Sequence, residues 1–350
     1  MNMRVAEYYD DRRFRIVEGR IEDPRPGEIQ VRVRSVGICG SDLHYFEDGG
    51  FGDFKPQLPL VLGHEPTAEI HKIGDGVTGW SRGDRVMVEP AVYCYHCEFC
   101  RSGRHNVCSH IRFYSTAPDP GFFRDYVNVP AHNVLPLAPE LDWDVGTLFE
   151  PLAIVLHSLR LAPVTLGQTA VVVGTGPIGL LTIASLKASG AGRVWAVEPE
   201  ASRRALALAI GADAALDPKQ IDAVKQILAD TGKRGVDLAF DCAGKEVPGG
   251  MNTITQCIHA VANTGRIVMT AIPIGRGTSV DMHELRRKEA TLFNVRRSNH
   301  ETEPAVEMLL SDPKRFRSIV THAMPVDNVQ RAFEMLERKQ DGAAKVTLTF

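Results

Sequence analysis

The 350-residue chain lacks the features of secreted and membrane proteins. Its first residues, Met1-Asn-Met-Arg-Val-Ala-Glu-Tyr8, contain no apolar core of a signal peptide, and no apolar run approaches membrane-spanning length. Charge is nearly balanced, with 40 basic and 43 acidic residues and a net charge of −3. That balance gives no reason to expect nucleic acid or an anionic membrane as a partner. We therefore expect a cytoplasmic protein.

The sequence also has no internal repeat, no low-complexity segment and no long run of like charge. The short basic run Arg286-Arg-Lys288 is expected to be a solvated helix end. A chain of this length predicts about two domains. Sequence organisation therefore has to be inferred from local patterns rather than from a repeating unit.

Cysteine is scarce and unevenly placed. The chain has seven cysteines, an odd number, and four of them crowd into fifteen residues with the spacing C-x2-C-x2-C-x7-C: Cys94, Cys97, Cys100 and Cys108. Four thiolates at this spacing are typical of a closed, tetrahedral structural zinc site. The alternative is a disulfide framework, which belongs to oxidising compartments that nothing else here indicates.

The pattern of apolar residues changes near residue 150. The first part is β-rich with many Gly and Pro turns, and residues 28–36 alternate as a half-buried strand does. A helical pattern covers 148–160, and strands then alternate with helices, which predicts a parallel sheet. The predicted strands are 170–173, 193–197, 237–240 and 266–270, the helices are 178–188 and 202–210, and after about 290 follow helices 304–310 and 326–337 and a strand at 345–350.

A glycine-rich turn joins the first of these strands to its helix. Gly174, Gly176 and Gly179 fit G-x-G-x-x-G, with Pro177 and Ile178 between the last two. In this strand–turn–helix context the motif predicts a dinucleotide pyrophosphate site at the helix N-terminus.

An acidic residue is expected about 20 residues after the motif, at the end of the second strand. Glu198 stands there, and its carboxylate would accept the ribose hydroxyls and repel a 2′-phosphate, so NAD is favoured over NADP. Arg203 and Arg204 follow, and we regard Arg203 as a further cofactor-binding candidate. Both arginines favour a 2′-phosphate, or alternatively they are surface residues of the next helix.

A catalytic zinc needs three protein ligands and an open position. Cys39 follows a strand among glycines, where a backbone turn presents a thiolate, and His64 and Glu65 lie in another turn. Glu150 stands at the junction of the two parts of the chain. Each of these residues alone is also compatible with an ordinary loop position. The remaining Cys242 and Cys257 are interpreted as small apolar residues of a strand and a helix.

Five motifs together resemble the zinc-dependent medium-chain dehydrogenases over essentially the whole chain. In order they are Gly37-Ile-Cys-Gly-Ser-Asp-Leu-His44, Gly63-His-Glu-Pro66, the four cysteines, Phe149-Glu-Pro-Leu152 and Gly174-Thr-Gly-Pro-Ile-Gly179. Within that family the chain is most similar to the polyol dehydrogenases of sorbitol, xylitol and L-iditol. That closer similarity rests on residues 37–46, 52–54 and 113–121 and on Glu150.

The resemblance implies an α/β fold with two domains. A Rossmann domain, a doubly wound parallel sheet that binds NAD, would span 153–289. A mainly β, GroES-like catalytic domain would comprise 1–152 and 290–350 and include a structural zinc lobe at about 91–110. The active site would lie in a cleft between the domains, and the family resemblance implies a homodimer or homotetramer.

The resemblance also assigns roles to single residues. Cys39, His64 and Glu150 would bind the catalytic zinc, with Glu65 a fourth carboxylate bound directly or through one water. Ser41 and His44 would relay the alcohol proton, although His44 is equally explained by packing, and Asp42 would fix the tautomer of His64. The implied substrate-pocket residues are Tyr45, Phe113 and Arg297; Arg297 is alternatively a surface base.

The implied activity is hydride transfer from a secondary alcohol of a polyol to NAD, which gives a ketose. Ser298 stands where a tyrosine is expected in sorbitol dehydrogenase, and mammalian sorbitol dehydrogenases lack the four-cysteine lobe, so the resemblance supports a polyol more firmly than sorbitol. The alternatives are an L-threonine 3-dehydrogenase or a 2,3-butanediol dehydrogenase, an enzyme of cyclitols or sugar acids, and a non-catalytic NAD-binding protein. A zinc-knuckle nucleic-acid binder is disfavoured, because the cysteine loop has few basic residues, Arg101 and Arg104.

Overall fold

The computed structural model describes residues 2–50, 56–247, 250–273 and 277–350. Residues 52–54, which contribute to the polyol dehydrogenase resemblance, lie outside these ranges. No helix in the described ranges is long and apolar enough to cross a membrane.

The elements alternate irregularly at first and regularly from residue 170. The strands are β1 Asn2–Tyr8, β2 Phe14–Arg20, β3 Glu28–Gly37, β4 Leu60–Val61, β5 Glu65–Ile73, β6 Arg85–Val88, β7 Ala91–Val92, β8 Arg112–Phe113, β9 Tyr126–Pro130, β10 Val134–Pro136, β11 Ala170–Val173, β12 Val194–Val197, β13 Ala214–Leu216, β14 Val236–Asp241, β15 Val261–Met269, β16 Thr291–Asn294, β17 Val320–Pro325 and β18 Lys345–Thr349. The α-helices are α1 Gly40–Asp48, α2 Glu98–Arg101, α3 Trp143–Gly146, α4 Phe149–Leu161, α5 Pro177–Ala188, α6 Ala201–Ile210, α7 Ala223–Asp230, α8 Thr253–Ala260, α9 Met282–Arg287, α10 Thr302–Ser311, α11 Pro313–Arg317 and α12 Val329–Glu337.

The chain divides into two compact units, one of residues 1–150 and 302–350 and the other of residues 151–301. In the first unit a seven-stranded sheet has the order β10-β6-β5-β3-β18-β17, with β9 also pairing with β3, and a small sheet has the order β2-β1-β4. The C-terminal strand β18 is thus an inner strand of the sheet, between β17 and β3 and antiparallel to β3. The buried face is a continuous apolar cluster that includes Val31, Val33, Phe123 and Phe333.

The second unit is a parallel sheet of six strands in the order β13-β12-β11-β14-β15-β16. In chain order this is 3-2-1-4-5-6. The alternating pattern predicts the parallel sheet, and the family resemblance implies its doubly wound arrangement. Strand β11, Ala-Val-Val-Val, is buried along its whole length, as an inner strand of a sheet covered on both faces must be. The carboxyl ends of β11 and β14 meet at the switch point of the strand order.

The second boundary between the units differs from the prediction of residue 290. Strand β16 pairs in parallel with β15, and Met269 is opposite Asn294. This pairing extends the nucleotide-type sheet beyond residue 290, and the compact unit ends at Glu301. The first division falls between Glu150 and Pro151, two residues from the predicted position.

The basic run Arg286-Arg-Lys288 is not a fully solvated helix end. Lys288 is 7% exposed, and its ammonium donates to the carbonyls of Ile258, His259 and Val261 at 2.7–2.9 Å. These carbonyls lie at the end of α8, where unpaired backbone acceptors favour a cation. Lys288 therefore fixes the junction of α8 and β15.

Candidate metal and dinucleotide sites

The four clustered cysteines converge on one point. Their sulfur atoms all lie within 4.8 Å of one another, with Cys94 Sγ 3.5 Å from Cys108 Sγ and Cys97 Sγ 3.9 Å from Cys108 Sγ. All four are free thiols rather than disulfides. The arrangement matches the closed tetrahedron of a structural zinc, with every ligand position supplied by protein.

Hydrogen bonds from backbone N–H groups stabilise the thiolate form of these cysteines. The amides of Cys97 and Cys100 donate to Cys94 Sγ and Cys97 Sγ at 3.4 and 3.5 Å. Hydrogen bonding, chiefly from the Cys100 amide, lowers the pKa of Cys97 to about 6, whereas burial raises the pKa of Cys100 to about 12. The Cys100 thiol resists ionisation on its own and lies close to three other sulfurs. This arrangement fits a site in which a bound cation stabilises the thiolates.

A second set of ligand atoms comes together where β3, α1 and β5 meet. Ligand atoms of Cys39, His64 and Glu65 lie within 4.8 Å of one another. Cys39 is the N-cap of α1, with a helix rather than a simple turn following it. His64 and Glu65 are buried at the start of β5, and Glu65 is opposite Gly37 in the β3–β5 ladder.

Glu150 brings a second carboxylate to this cluster. It is 5% exposed in the first turn of α4. Burial raises its pKa to about 8, and among charged groups His64, which lowers the pKa, and Glu65, which raises it, have the largest influence. Glu150 Oε2 and Glu65 Oε1 are buried and have no hydrogen-bond partner among the described residues. A cysteine, a histidine and carboxylate oxygens without donors are the donor set that a catalytic zinc requires, so the residues fit the metal.

Asp42 connects the backbone around two of these ligands. It is fully buried, and its carboxylate accepts from the amide of Cys39 at 3.0 Å and of Gly63 at 3.4 Å. Its Oδ1 lies 3.4 Å from Nδ1 of His64. Burial raises the pKa of Asp42, but His64 and the hydrogen bonds outweigh burial and lower it overall. An ionised Asp42 at this distance favours a proton on Nδ1 of His64 by charge, although the two atoms are not hydrogen-bonded in the structure, and this leaves Nε2 available as the ligand atom.

Lys345 is a neighbour of the cluster that sequence inspection missed. It is 1% exposed in the inner strand β18, contacts Glu65 Oε2, and donates to the carbonyl of Ile38 at 3.2 Å. The pattern of the last strand does not predict a buried cation, because Lys345 occupies an inward position that looks like any other strand position. The structure therefore gives Glu65 a competing partner within the protein.

Two of the predicted proton-relay and substrate residues contact the cluster. Ser41 Oγ lies 3.4 Å from His64 Nε2, and the ring of Phe113 is centred 5.4 Å from that of His64. His44 and Tyr45 follow Ser41 on α1. His44 Nδ1 lies 3.1 Å from Asp48, and Tyr45 is 2% exposed.

Arg297 belongs to the other compact unit, after β16, and has a left-handed backbone with φ of 55°. The segment that follows it contacts α4. Glu301 Oε1 lies 3.1 Å from His157 Nδ1 and 2.7 Å from the half-exposed Arg160 of α4. Arg160 also donates to the carbonyl of Asn299 at 2.7 Å.

The glycine-rich turn has the geometry that a pyrophosphate site needs. Gly174 has φ of 88°, in the region that favours glycine. A Cβ on Gly179 would stand 1.9 Å from the carbonyl oxygen of Gly174, whereas one on Gly176 would meet nothing within 4 Å. Pro177 and Ile178 begin α5. The three glycines therefore serve turning, open backbone approach and close helix packing respectively.

Glu198 lies beside this turn, as predicted, and is 3% exposed. Its Oε2 accepts hydrogen bonds from the amide and hydroxyl of Thr175 at 2.9 and 3.2 Å. Thr175 occupies the first x position of the motif, where any residue type is allowed, so the motif does not predict this contact. Arg204 donates to the carbonyl of Glu198 at 2.9 Å and pairs with Asp217 at 3.0 Å. Arg204 is thus engaged within the protein, and it is not a free surface residue.

Two family models match the chain. Residues 25–139 match the alcohol dehydrogenase GroES-like domain and residues 177–311 match the zinc-binding dehydrogenase model. Sorbitol dehydrogenase of Bos taurus is 34% identical over 90% of this chain and 87% of its own length. L-threonine 3-dehydrogenase of Pyrococcus horikoshii is 33% identical over 93% of both.

A solved structure supports the same assignment. The crystal structure of 2R,3R-butanediol dehydrogenase from Bacillus subtilis is similar with a TM-score of 0.88 and 30% identity, covering 99% of each chain. The fold class, the zinc and the nicotinamide cofactor expected from the motifs are thereby confirmed. The chain belongs to the zinc-dependent medium-chain dehydrogenases, oxidoreductases that act on alcohols and polyols with NAD.

Proposed function

We propose that the protein oxidises a secondary alcohol of a polyol to a ketose with NAD, at the cluster of Cys39, His64 and Glu150. The observation that carries the proposal is the convergence of ligand atoms of Cys39, His64 and Glu65 within 4.8 Å of one another. Buried carboxylate oxygens of Glu65 and Glu150 that have no hydrogen-bond partner among the described residues support it. The names of several similar proteins, sorbitol dehydrogenases among them, support a polyol as substrate.

The proposed mechanism assigns each residue a part. Cys39, His64 and Glu150 would hold the zinc, which when bound supplies a Lewis acid for the alcohol oxygen while NAD accepts the hydride. Asp42 keeps His64 in the tautomer that presents Nε2. Glu65 is shared between this centre and Lys345, so we propose that it exchanges between the two.

Ser41 is placed to move the proton. Its hydroxyl lies beside His64 Nε2 at 3.4 Å, next to the position of the alcohol in the proposal. We propose that Ser41 takes up the proton of the alcohol hydroxyl as its own hydroxyl proton moves on toward His44. His44 lies one helical turn further along α1, is hydrogen-bonded to Asp48 and is the proposed exit. Phe113 packs on His64 and provides an apolar wall against the carbon chain. Tyr45 and Arg297 remain proposed substrate residues.

An L-threonine or 2,3-butanediol dehydrogenase is the second candidate, because relatives with those names match at similar identity. NADH formation with purified, zinc-loaded protein distinguishes them across sorbitol, xylitol, L-iditol, galactitol, threonine and 2,3-butanediol. We expect kcat/KM for the best polyol to exceed that for threonine and butanediol by about tenfold or more, about 1.4 kcal/mol in transition-state binding. Good activity on threonine with none on any polyol would refute the proposal.

The same assay with NADP tests the cofactor preference. Glu198 is buried at the proposed ribose position, so a 2′-phosphate would lie against its carboxylate. Arg204 would not neutralise that phosphate, because it already pairs with Asp217. NAD should therefore be reduced faster than NADP at equal concentration.

A further inference from the structure

Ser115 has a backbone conformation that serine seldom adopts. It lies between β8 and β9 with φ of 76° and is 2% exposed. For a residue with a Cβ this region is sterically unfavourable. The surrounding loop fixes it, because the Tyr114 amide donates to Pro90 at 3.0 Å and the Ser115 amide donates to Asp119 at 3.1 Å. Such strain in a buried residue indicates that the side chain of Ser115 has a specific role.

The Ser115 hydroxyl donates to Oδ1 of Asp42 at 3.0 Å. Both side chains are buried, so the bond is shielded from water. Oδ1 is the oxygen that also faces His64 Nδ1, at 3.4 Å, while Oδ2 accepts from the Cys39 amide. Ser115 therefore holds the carboxylate that faces one proposed metal ligand and the backbone of another.

The same loop contacts His64 a second time. Phe113, two residues before Ser115, packs its ring against the His64 ring at 5.4 Å. The amide of Thr116 donates to the Phe113 carbonyl at 3.0 Å, which closes a tight turn around Ser115. The turn thus links the position of Phe113, whose ring packs at a tilt against the ring of His64, to that of Ser115, which hydrogen-bonds to Asp42.

We propose that Ser115 is a positioning residue of the catalytic metal centre. It fixes Asp42, and through Asp42 the orientation of His64, and it seats the loop that places Phe113 beside the reacting alcohol. The inference rests on the proposed metal role of Cys39, His64 and Glu150.

The physical reason is the number of donors that a buried carboxylate needs. Asp42 receives hydrogen bonds from two amides and from Ser115, in addition to facing His64. Without the hydroxyl, Oδ1 loses its strongest neutral donor and the carboxylate is freer to rotate away from His64. Changes to groups that orient metal ligands typically weaken metal affinity or activity by about 10- to 100-fold. We expect the lower end of that range, since the two amides remain.

The test measures zinc release to a chelator from Ser115→Ala and wild-type protein. Alanine keeps the Cβ, and with it the backbone cost, and removes only the hydroxyl. Ser115→Gly is the second variant, because glycine accepts this φ without strain. His64→Ala identifies the release phase that belongs to the lobe alone. Thr116→Val is the matched control in the same turn.

We expect both Ser115 variants to release one zinc about tenfold faster than wild type and the lobe zinc at an unchanged rate, with Thr116→Val like wild type. Cobalt substitution should show an altered ligand-field spectrum for the same centre. Unchanged release and an unchanged spectrum would overturn the inference. Faster release of both metals with a lowered Tm would also overturn it, because it indicates a purely structural loop. A wild type that binds only the lobe zinc would instead refute the proposed catalytic centre.

Discussion

Lys345 and Glu65 form an ion pair with almost no access to water, beside the proposed zinc ligands. Their side chains are 1% and 0% exposed. Removing two charges from water is costly, and the pair persists only because each ion compensates the other. If Glu65 is a zinc ligand as proposed, the pair would limit how far it can approach the metal. The stability of the protein and its proposed metal chemistry would then depend on the same carboxylate.

Lys345→Met should therefore destabilise the protein by about 3 kcal/mol, because it leaves Glu65 buried without its cation. Denaturant unfolding at matched zinc content measures the change. Lys345→Arg, which keeps the charge, is the control and should lose much less. The double variant Lys345→Met/Glu65→Gln should recover part of the loss; equal losses in the single and double variants would argue that the charge pair is not the cause.

Single residues near the site differed in how far the sequence revealed them. Cysteine, histidine and a carboxylate form a chemically meaningful set, so the sequence predicts Cys39, His64 and Glu150 as ligands. The structure brings Cys39 and His64 together with Glu65, and the ligand role of Glu150 stays a prediction. Lys345 and Ser115 were missed because one looks like an ordinary strand residue and the other like an ordinary loop residue. Their importance comes from contacts with Glu65 and Asp42, which are remote in the chain.

At the scale of elements, the strand–turn–helix unit β11–α5 has two glycines with opposite requirements. A side chain on Gly179 would overlap the Gly174 carbonyl, whereas Gly176, with φ of −65°, has open space around it. Gly179 is therefore required by the packing of the fold itself. Gly176 is instead explained by the proposed approach of the dinucleotide pyrophosphate to the turn.

Gly176→Ala should leave stability unchanged or slightly raised, since alanine tolerates this backbone, and weaken NAD binding about tenfold, or about 1.4 kcal/mol. Gly179→Ala should destabilise the unit by about 3 kcal/mol through overpacking. Thermal unfolding and NADH fluorescence titration separate the effects. Undiminished NAD affinity in Gly176→Ala would contradict the location of the pyrophosphate at this turn.

Local patterns predicted most elements of the second unit, because strand and helix periods are visible in short segments. The apolar run at 170–173 and the helical pattern at 178–188 correspond to β11 and α5. Helix α1 was missed, since Cys39 stands among glycines that indicate a turn. Strand β16 was missed because it is a short edge strand, and its membership depends on pairing with β15.

At the scale of the whole molecule, the two compact units contain different chemistry. Both cysteine-containing metal clusters lie in the unit of residues 1–150 and 302–350, and the glycine-rich turn lies in the unit of 151–301. The order of motifs along the chain predicts that the metal ligands and the dinucleotide motif lie in different units. It was not sufficient to place the boundary at 301, because that depends on sheet pairing, and the oligomeric state stays a prediction.

The central claim is that the reaction depends on Cys39 and its neighbours and not on the four-cysteine lobe. Zinc content and polyol turnover measured together in wild type, Cys39→Ala and Cys97→Ala test it most directly. We predict about two zinc ions per chain in wild type. Cys39→Ala should retain the lobe zinc and NAD binding but lose turnover, and Cys97→Ala should lose the lobe zinc and stability first. A Cys39→Ala protein that keeps both zinc ions and full turnover would contradict the account.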